Sequence, residues 1–230
     1  MSLYDLEKNP ESFNSWIDRK KRETADYICR NPDSLIPAFE NELRQAGLEF
    51  EVTNQTLGFM PKQKKVVLPI AIKYYQLARE LRKENEQNHF LCFFQFKGLE
   101  EVMPWLLEDY FSTDTPDLTR WYISNCFYQI RSKRFVEEYL NIISNRKFGG
   151  NRQLVILLLG KLKEERAIPI LIDLLEDEEV RLHAISALGE FRRDDFRCFF
   201  ERFLNSTHSG WRKCARVAIK KLDSKHASNC

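Results

Sequence analysis

The eleven residues from Arg181, RLHAISALGEF, place apolar side chains at the fourth, seventh, eighth and eleventh positions. That is the i, i+3, i+4, i+7 spacing of one helical face. The same spacing recurs in RQLVILLLGKL from Arg152, RKCARVAIKKL from Arg212 and RWYISNCFYQI from Arg120. It recurs more loosely in NHFLCFFQFKG from Asn88, where Gln95 and Gly98 break the pattern. In chain order the copies start 32, 32, 29 and 31 residues apart. A second series precedes them: LPIAIKYY from Leu68, MPWLLEDYF from Met103, RFVEEYLNIISN from Arg134, IPILIDLLEDEE from Ile168 and RCFFERFLNS from Arg197. Two series with one shared period predict a helix, a turn and a second helix, repeated as five pairs over about residues 65–222.

Prolines support this reading. Pro69, Pro104 and Pro169 each fall at the predicted start of a first helix, where a missing N–H costs no intrahelical bond. Neither helix of such a pair can bury its apolar face alone, so stacking supplies the core. The fold expected is all-α, an α-solenoid wound as a right-handed superhelix. Residues 1–60 follow no repeat and are predicted to form an N-terminal helical cap. One amphipathic helix is expected over PESFNSWIDRKKRETADYICRN, with Trp16, Ala25 and Ile28 among its apolar positions, and another over PDSLIPAFENELRQAGL, ending near Gly47. A short helix or loop is expected over VTNQTLGFMPKQKK, repeats over 61–225, and a disordered tail over 226–230.

Composition narrows the function more than the fold. Only 8 Gly and 8 Pro in 230 residues disfavour turn-rich sheet folds. The net charge of +2 leaves no whole-chain footprint for nucleic acid, yet residues 181–225 carry a local +6. The stretch MSLYDLEKNPESF has no apolar core of a secretory signal, and no apolar run approaches the length of a membrane span, so a cytoplasmic protein is expected. The six cysteines are scattered without metal-ligand spacing, and Cys92 and Cys126 fall inside apolar helical runs as reduced core thiols. No cofactor and no metal is implied. The four histidines, His89, His183, His208 and His226, have no partner at a catalytic spacing, so no enzyme activity is expected.

The stretch AIPILIDLLEDEEVRLHAISALGEF, with its Pro, Asp177 and Arg181 in register, resembles a HEAT repeat of the bacterial lyase-like kind. GNRQLVILLLGKL through WRKCARVAIKKL is similar to small bacterial HEAT-repeat proteins of unassigned function. That resemblance implies a structural ladder in which Asp177 and the helix-opening arginines Arg181, Arg120, Arg152 and Arg212 tie neighbouring repeats. The loops before Arg120, Arg152 and Arg212 offer Asp114, Asn145 and Ser206 as the corresponding partners. It also implies that the second helices line a concave surface. Their third, sixth and tenth positions then supply the expected partner-binding residues Tyr122, Asn125, Gln129, His183, Ser186 and Glu190, with Trp121 as an aromatic anchor. Leu154 and Leu157 are apolar at the same positions, which reads either as an interface or as a face rotated by one position.

The function expected is a non-enzymatic scaffold that binds a macromolecular partner, foremost a protein. One alternative is a nucleic-acid-binding HEAT-like protein using the basic C-terminal repeats, such as an alkylpurine DNA glycosylase. Trp105, Trp121, Trp211, Asp109 and Asp117 would then be of interest, although no local motif of that family is present. Another alternative is an immunity or assembly-factor protein.

Overall fold

The computed structural model describes residues 10–48 and 63–227. Among them are helices and turns and no strand. The chain divides into two compact units, Met1–Phe94 and Gln95–Cys230.

The first unit holds α1 (Pro10–Arg30), α2 (Ile36–Gln45), α3 (Lys64–Glu80) and α4 (Glu84–Leu91), the last running into a 3-10 turn, Cys92–Phe94. The boundary read from sequence lay near residue 60, but the first predicted helical pair, α3 and α4, groups with the N-terminal helices. Specific contacts explain this. Glu86 of α4 is buried, and its carboxylate accepts from the Leu35 N–H at 3.0 Å and the Tyr27 hydroxyl at 3.4 Å. Lys73 of α3 meets Glu42 of α2 at 2.6 Å. Between the helices Phe39 packs edge-on against Tyr74, Phe90 and Phe93, with centroids 5.1–5.5 Å apart. Gly47 ends α2 with φ +83°, as a left-handed C-terminal glycine does. VTNQTLGFMPKQKK lies almost wholly outside the described residues, as does the Trp16 side chain.

Two helix limits differ from expectation. Pro69 stands inside α3, not at its start, because Lys64–Leu68 extend the helix upstream. The bond it forfeits would go to the Lys65 carbonyl, and both residues are exposed, so water can take its place. The second helix of the first pair stops at Leu91, so Gln95 and Gly98, the two misfits of its copy, are not helical.

The second unit is four helical pairs: α5 (Met103–Phe111) with α6 (Asp117–Ile130), α7 (Val136–Ser144) with α8 (Gln153–Leu162), α9 (Ile168–Asp173) with α10 (Arg181–Phe191), and α11 (Arg197–Glu201) with α12 (Ser209–Ala227). Pro104 and Pro169 lie in the first turns of α5 and α9. The second helices α6, α8, α10 and α12 stack consecutively on one another, while the first helices make no comparable contact among themselves. This is an α-solenoid. α12 continues through Ala227, into the segment expected to be a tail, and 228–230 lie outside the described residues.

Core and spacing follow the repeat positions. Positions four, seven, eight and eleven are buried throughout α6 and α10, and Leu159 and Leu188 are fully buried. Ile219, expected to be buried likewise, is half-exposed, because no further described helix covers α12. Position five, which faces the next repeat, is buried Ser124, Ile156 and Ile185, but in α12 it is exposed Arg216. Position nine is glycine in α8 and α10. A Cβ on Gly160 would stand 2.7 Å from the Ala187 Cα, and one on Gly189 would stand 2.9 Å from the Ala218 Cβ. In α12 the same position is exposed Lys220.

The chain reverses after each of α6, α8 and α10 through a residue with positive φ, and each is basic: Arg131, Lys163 and Arg192. Glycine would adopt that conformation without steric cost. A cation there faces the partial negative charge of the helix C-terminus, which offsets some of the strain.

Two measurements test this architecture. Gly160→Ala gains helix propensity worth about 1 kcal/mol, yet the collision is with helix backbone that cannot swing aside. Net destabilisation by about 1–3 kcal/mol is expected, as for an overpacked core, read as a lowered denaturant midpoint.

The second concerns His89, whose ring lies 5.3–6.2 Å from those of Phe39, Phe90 and Phe93. Its Nε2 is buried without a partner, and burial pushes its pKa down from 6.5 to about 4. The unfolded chain takes up this proton near the ordinary value, the folded chain only near the lower one. The stability His89 confers is therefore complete above pH 6.5 and drains as pH falls toward about 4. His89→Phe, which keeps the ring contacts, is expected to flatten that part of the stability–pH curve.

Candidate partner-binding face

Each second helix of the stack has an arginine in or just before its first turn, and the guanidinium turns back onto the preceding turn. Arg120 donates to the carbonyls of Tyr110 at 3.1 Å and Ser112 at 2.6 Å. Arg181 donates to those of Leu175 at 2.5 Å and Glu176 at 3.2 Å, and Arg212 to those of Ser206 at 2.5 Å and Thr207 at 2.8 Å. Carbonyls at a helix end lack intrahelical donors, and the turns are too short to supply backbone N–H groups for all of them. Arg152 differs in donating to the Gly149 carbonyl, in the kinked FGGNR turn.

The same guanidinium groups also reach forward to the next repeat. Arg152 pairs with Asp177 at 2.8 Å, Arg120 lies 5.8 Å from the Phe148 ring, and Arg181 lies 4.2 Å from the Trp211 ring. The Asp177 carboxylate is thus the partner of the preceding repeat's Arg152, while the Arg181 guanidinium takes the loop carbonyls, the other partner expected for it, and, at 3.4 Å, Glu178. Nor do the other expected loop partners meet their arginines through their side chains. Asp114 accepts from Thr113, the Asn145 side chain accepts from the Lys147 N–H, and the Ser206 hydroxyl accepts from the His208 N–H. For Asp177 burial opposes ionisation, but the hydrogen bond and charge of Arg152 prevail and hold its pKa below the ordinary value.

These geometries repeat over the segment from α7 to α12. Residues 136–220 match the family model for HEAT repeats. This segment is similar to a run of HEAT repeats. No curated protein matches the chain.

In this segment and in α6 before it, the third, sixth and tenth positions of the second helices are all half-buried or exposed. That places Tyr122, Asn125, Gln129, His183, Ser186 and Glu190 on one face, where Leu154 and Leu157 are half-buried beside them. The face is therefore not rotated. Trp121 is 44% exposed, with its ring edge-on to Tyr122 at 5.4 Å. Some polar members are already engaged. Glu190 pairs with Lys221 of the next repeat at 2.7 Å, and the Ser186 hydroxyl donates to the Leu182 carbonyl. Burial lowers the pKa of His183 below the ordinary imidazole value.

Leu182, Cys214 and Val217, which were not among the expected binding residues, extend the apolar lane of this face. Their signal was present, since each occupies position two, three or six of its copy. Trp105, Trp121, Trp211, Asp109 and Asp117 are dispersed among separate contacts. Asp117 bonds Arg120 and Asn151, and Trp211 stacks on His208 at 4.5 Å beneath Arg181. Among the described residues no group of His, Cys, Asp and Glu is placed to hold a metal ion, and no helix is long and apolar enough to cross a membrane.

The Arg152 side chain is 1% exposed, so loss of Asp177 strands a buried cation. Asp177→Ala is expected to cost about 3–5 kcal/mol, and Arg152→Met less, because it removes the charge along with its partner. Chemical denaturation of the two single variants and the double variant checks this order.

Proposed function

We propose that the protein is a non-enzymatic scaffold that holds a segment of a partner protein along the concave face of its helical stack. The observation that carries this is a lane of incompletely buried apolar side chains crossing four stacked helices: Trp121 and Tyr122 on α6, Leu154 and Leu157 on α8, Leu182 on α10 and Val217 on α12. Single exposed apolar residues are ordinary, but a contiguous row marks an interaction site. HEAT repeats commonly mediate protein interactions, which supports the same reading. Polar groups edge the lane at position ten, with Gln129, Lys161, Glu190 and Lys221, as a rim surrounds an apolar interface centre.

Nucleic acid is the second reading, favoured by one observation. Lys213, Arg216 and Lys220 form an exposed cationic stripe on α12, and none makes an ion pair among the described residues. Phosphate contacts of that kind would give steep salt dependence.

The test is affinity capture from native cells with the intact chain, Trp121→Ala and Leu157→Asp, quantified by mass spectrometry, with thermal unfolding as the control for folding. Proteins captured by the intact chain and lost from both variants are expected. Equal capture by all three would overturn the concave-face reading. Duplex or single-stranded DNA bound tightly at low salt and released at high salt would move the function to nucleic acid, and release of alkylated bases would make the protein an enzyme.

A further inference from the structure

At the C-terminal end of the concave face α10 and α12 enclose a groove of about 330 Å³. Leu182, Cys214, Val217 and Ala218 make it apolar, and Lys213 and Lys221 stand among its walls. Its volume is at the lower end of the about 300–1,000 Å³ found for ligand clefts, the scale of an inserted side chain and not of an extended cofactor. Val217 is 47% exposed, so the groove is open to an entering group.

The charges around it have one sign to offer. Glu190, the acid next to the groove, is taken by Lys221. The Ser186 hydroxyl, also in the lining, donates to its own helix. Lys213 has no ion-pair partner among the described residues, and Arg216 and Lys220 continue the cationic stripe along the same helix. Interior repeats carry Ile or Gly at the positions of those two residues in α8 and α10. The cations thus appear where no further described helix covers the stack.

We propose that this groove receives an apolar side chain of an acidic amphipathic helix in the partner protein, whose carboxylates pair with Lys213 and the neighbouring α12 cations. This rests on the concave-face reading and adds the partner's chemistry and its anchoring point. An apolar pocket flanked by cations matches a segment that is apolar and acidic at once. A phosphate backbone would use the cations and leave the pocket unfilled.

Three fluorescent probes test this on the full chain: a synthetic amphipathic helix of Leu and Glu, the same helix with Lys for Glu, and a DNA duplex. The Glu peptide is expected to bind, to weaken with salt, and to slow alkylation of Cys214 by N-ethylmaleimide, located by peptide mapping. Val217→Asp and Lys213→Glu, both surface substitutions, should each weaken binding about tenfold, the factor that accompanies loss of one anchor. Equal binding of the Lys peptide, unchanged Cys214 labelling, indifference to both substitutions, or preference for the duplex would each overturn the proposal. If Glu-peptide binding fails at Trp121→Ala but not at Val217→Asp, the concave face survives and the groove assignment falls. If the peptide responds to Val217→Asp while cellular capture ignores Trp121→Ala and Leu157→Asp, the groove stands and the wider face falls.

Discussion

The stack depends on one arrangement: a guanidinium that must serve two neighbours at once. A helix ending in a tight turn leaves carbonyls with no backbone donors, and burying them unbonded is costly. Arg120, Arg181 and Arg212 satisfy those carbonyls within their own repeat, and Arg120 and Arg181 keep a face of the guanidinium for the next repeat. Lysine could not substitute, since its compact ammonium lacks both the fork of donors and the planar surface that lies over a ring. The forward contact is free to vary because a carboxylate and an aromatic face both attract a cation. Hence Phe148, Asp177 and Trp211 occupy equivalent roles without resembling one another.

That variability explains what the sequence made legible. The helical pairs, their period and the buried positions of α6 and α10 could be read from apolar spacing, because burial acts on every copy alike. The arginines stood at the first position of their copies, and the resemblance to HEAT repeats implied their structural role. Their forward partners could not be read, because a ring and a carboxylate share no sequence pattern. Asp177 looked like the partner of Arg181, four residues on along the chain, whereas stacking brings it to Arg152 of the preceding repeat. Spacing along a chain says little about which repeat a loop faces.

Other misreadings have local causes. The grouping of α3 and α4 with α1 and α2 rests on Glu86, a buried carboxylate that looks like any surface glutamate in the sequence. Pro69 is tolerated inside α3 since the carbonyl it abandons is on an exposed surface. The left-handed turns at Arg131, Lys163 and Arg192 carried no glycine to announce them. On the concave face, positions three, six and ten were legible as a stripe, while the groove at its end needed α10 and α12 side by side.

The glycines of α8 and α10 carry a consequence for recognition. They offer a ligand no side chain of their own, yet they fix how closely successive second helices approach, and so the pitch at which the face presents its side chains. A volume change of one methyl group at Gly160 or Gly189 would be multiplied along the stack like a shim beneath one step of a spiral stair. Affinity in such a protein can drift through substitutions in its seams while each residue at the interface stays the same. Partner choice is then inherited partly as spacing, a property of the column and not of its surface.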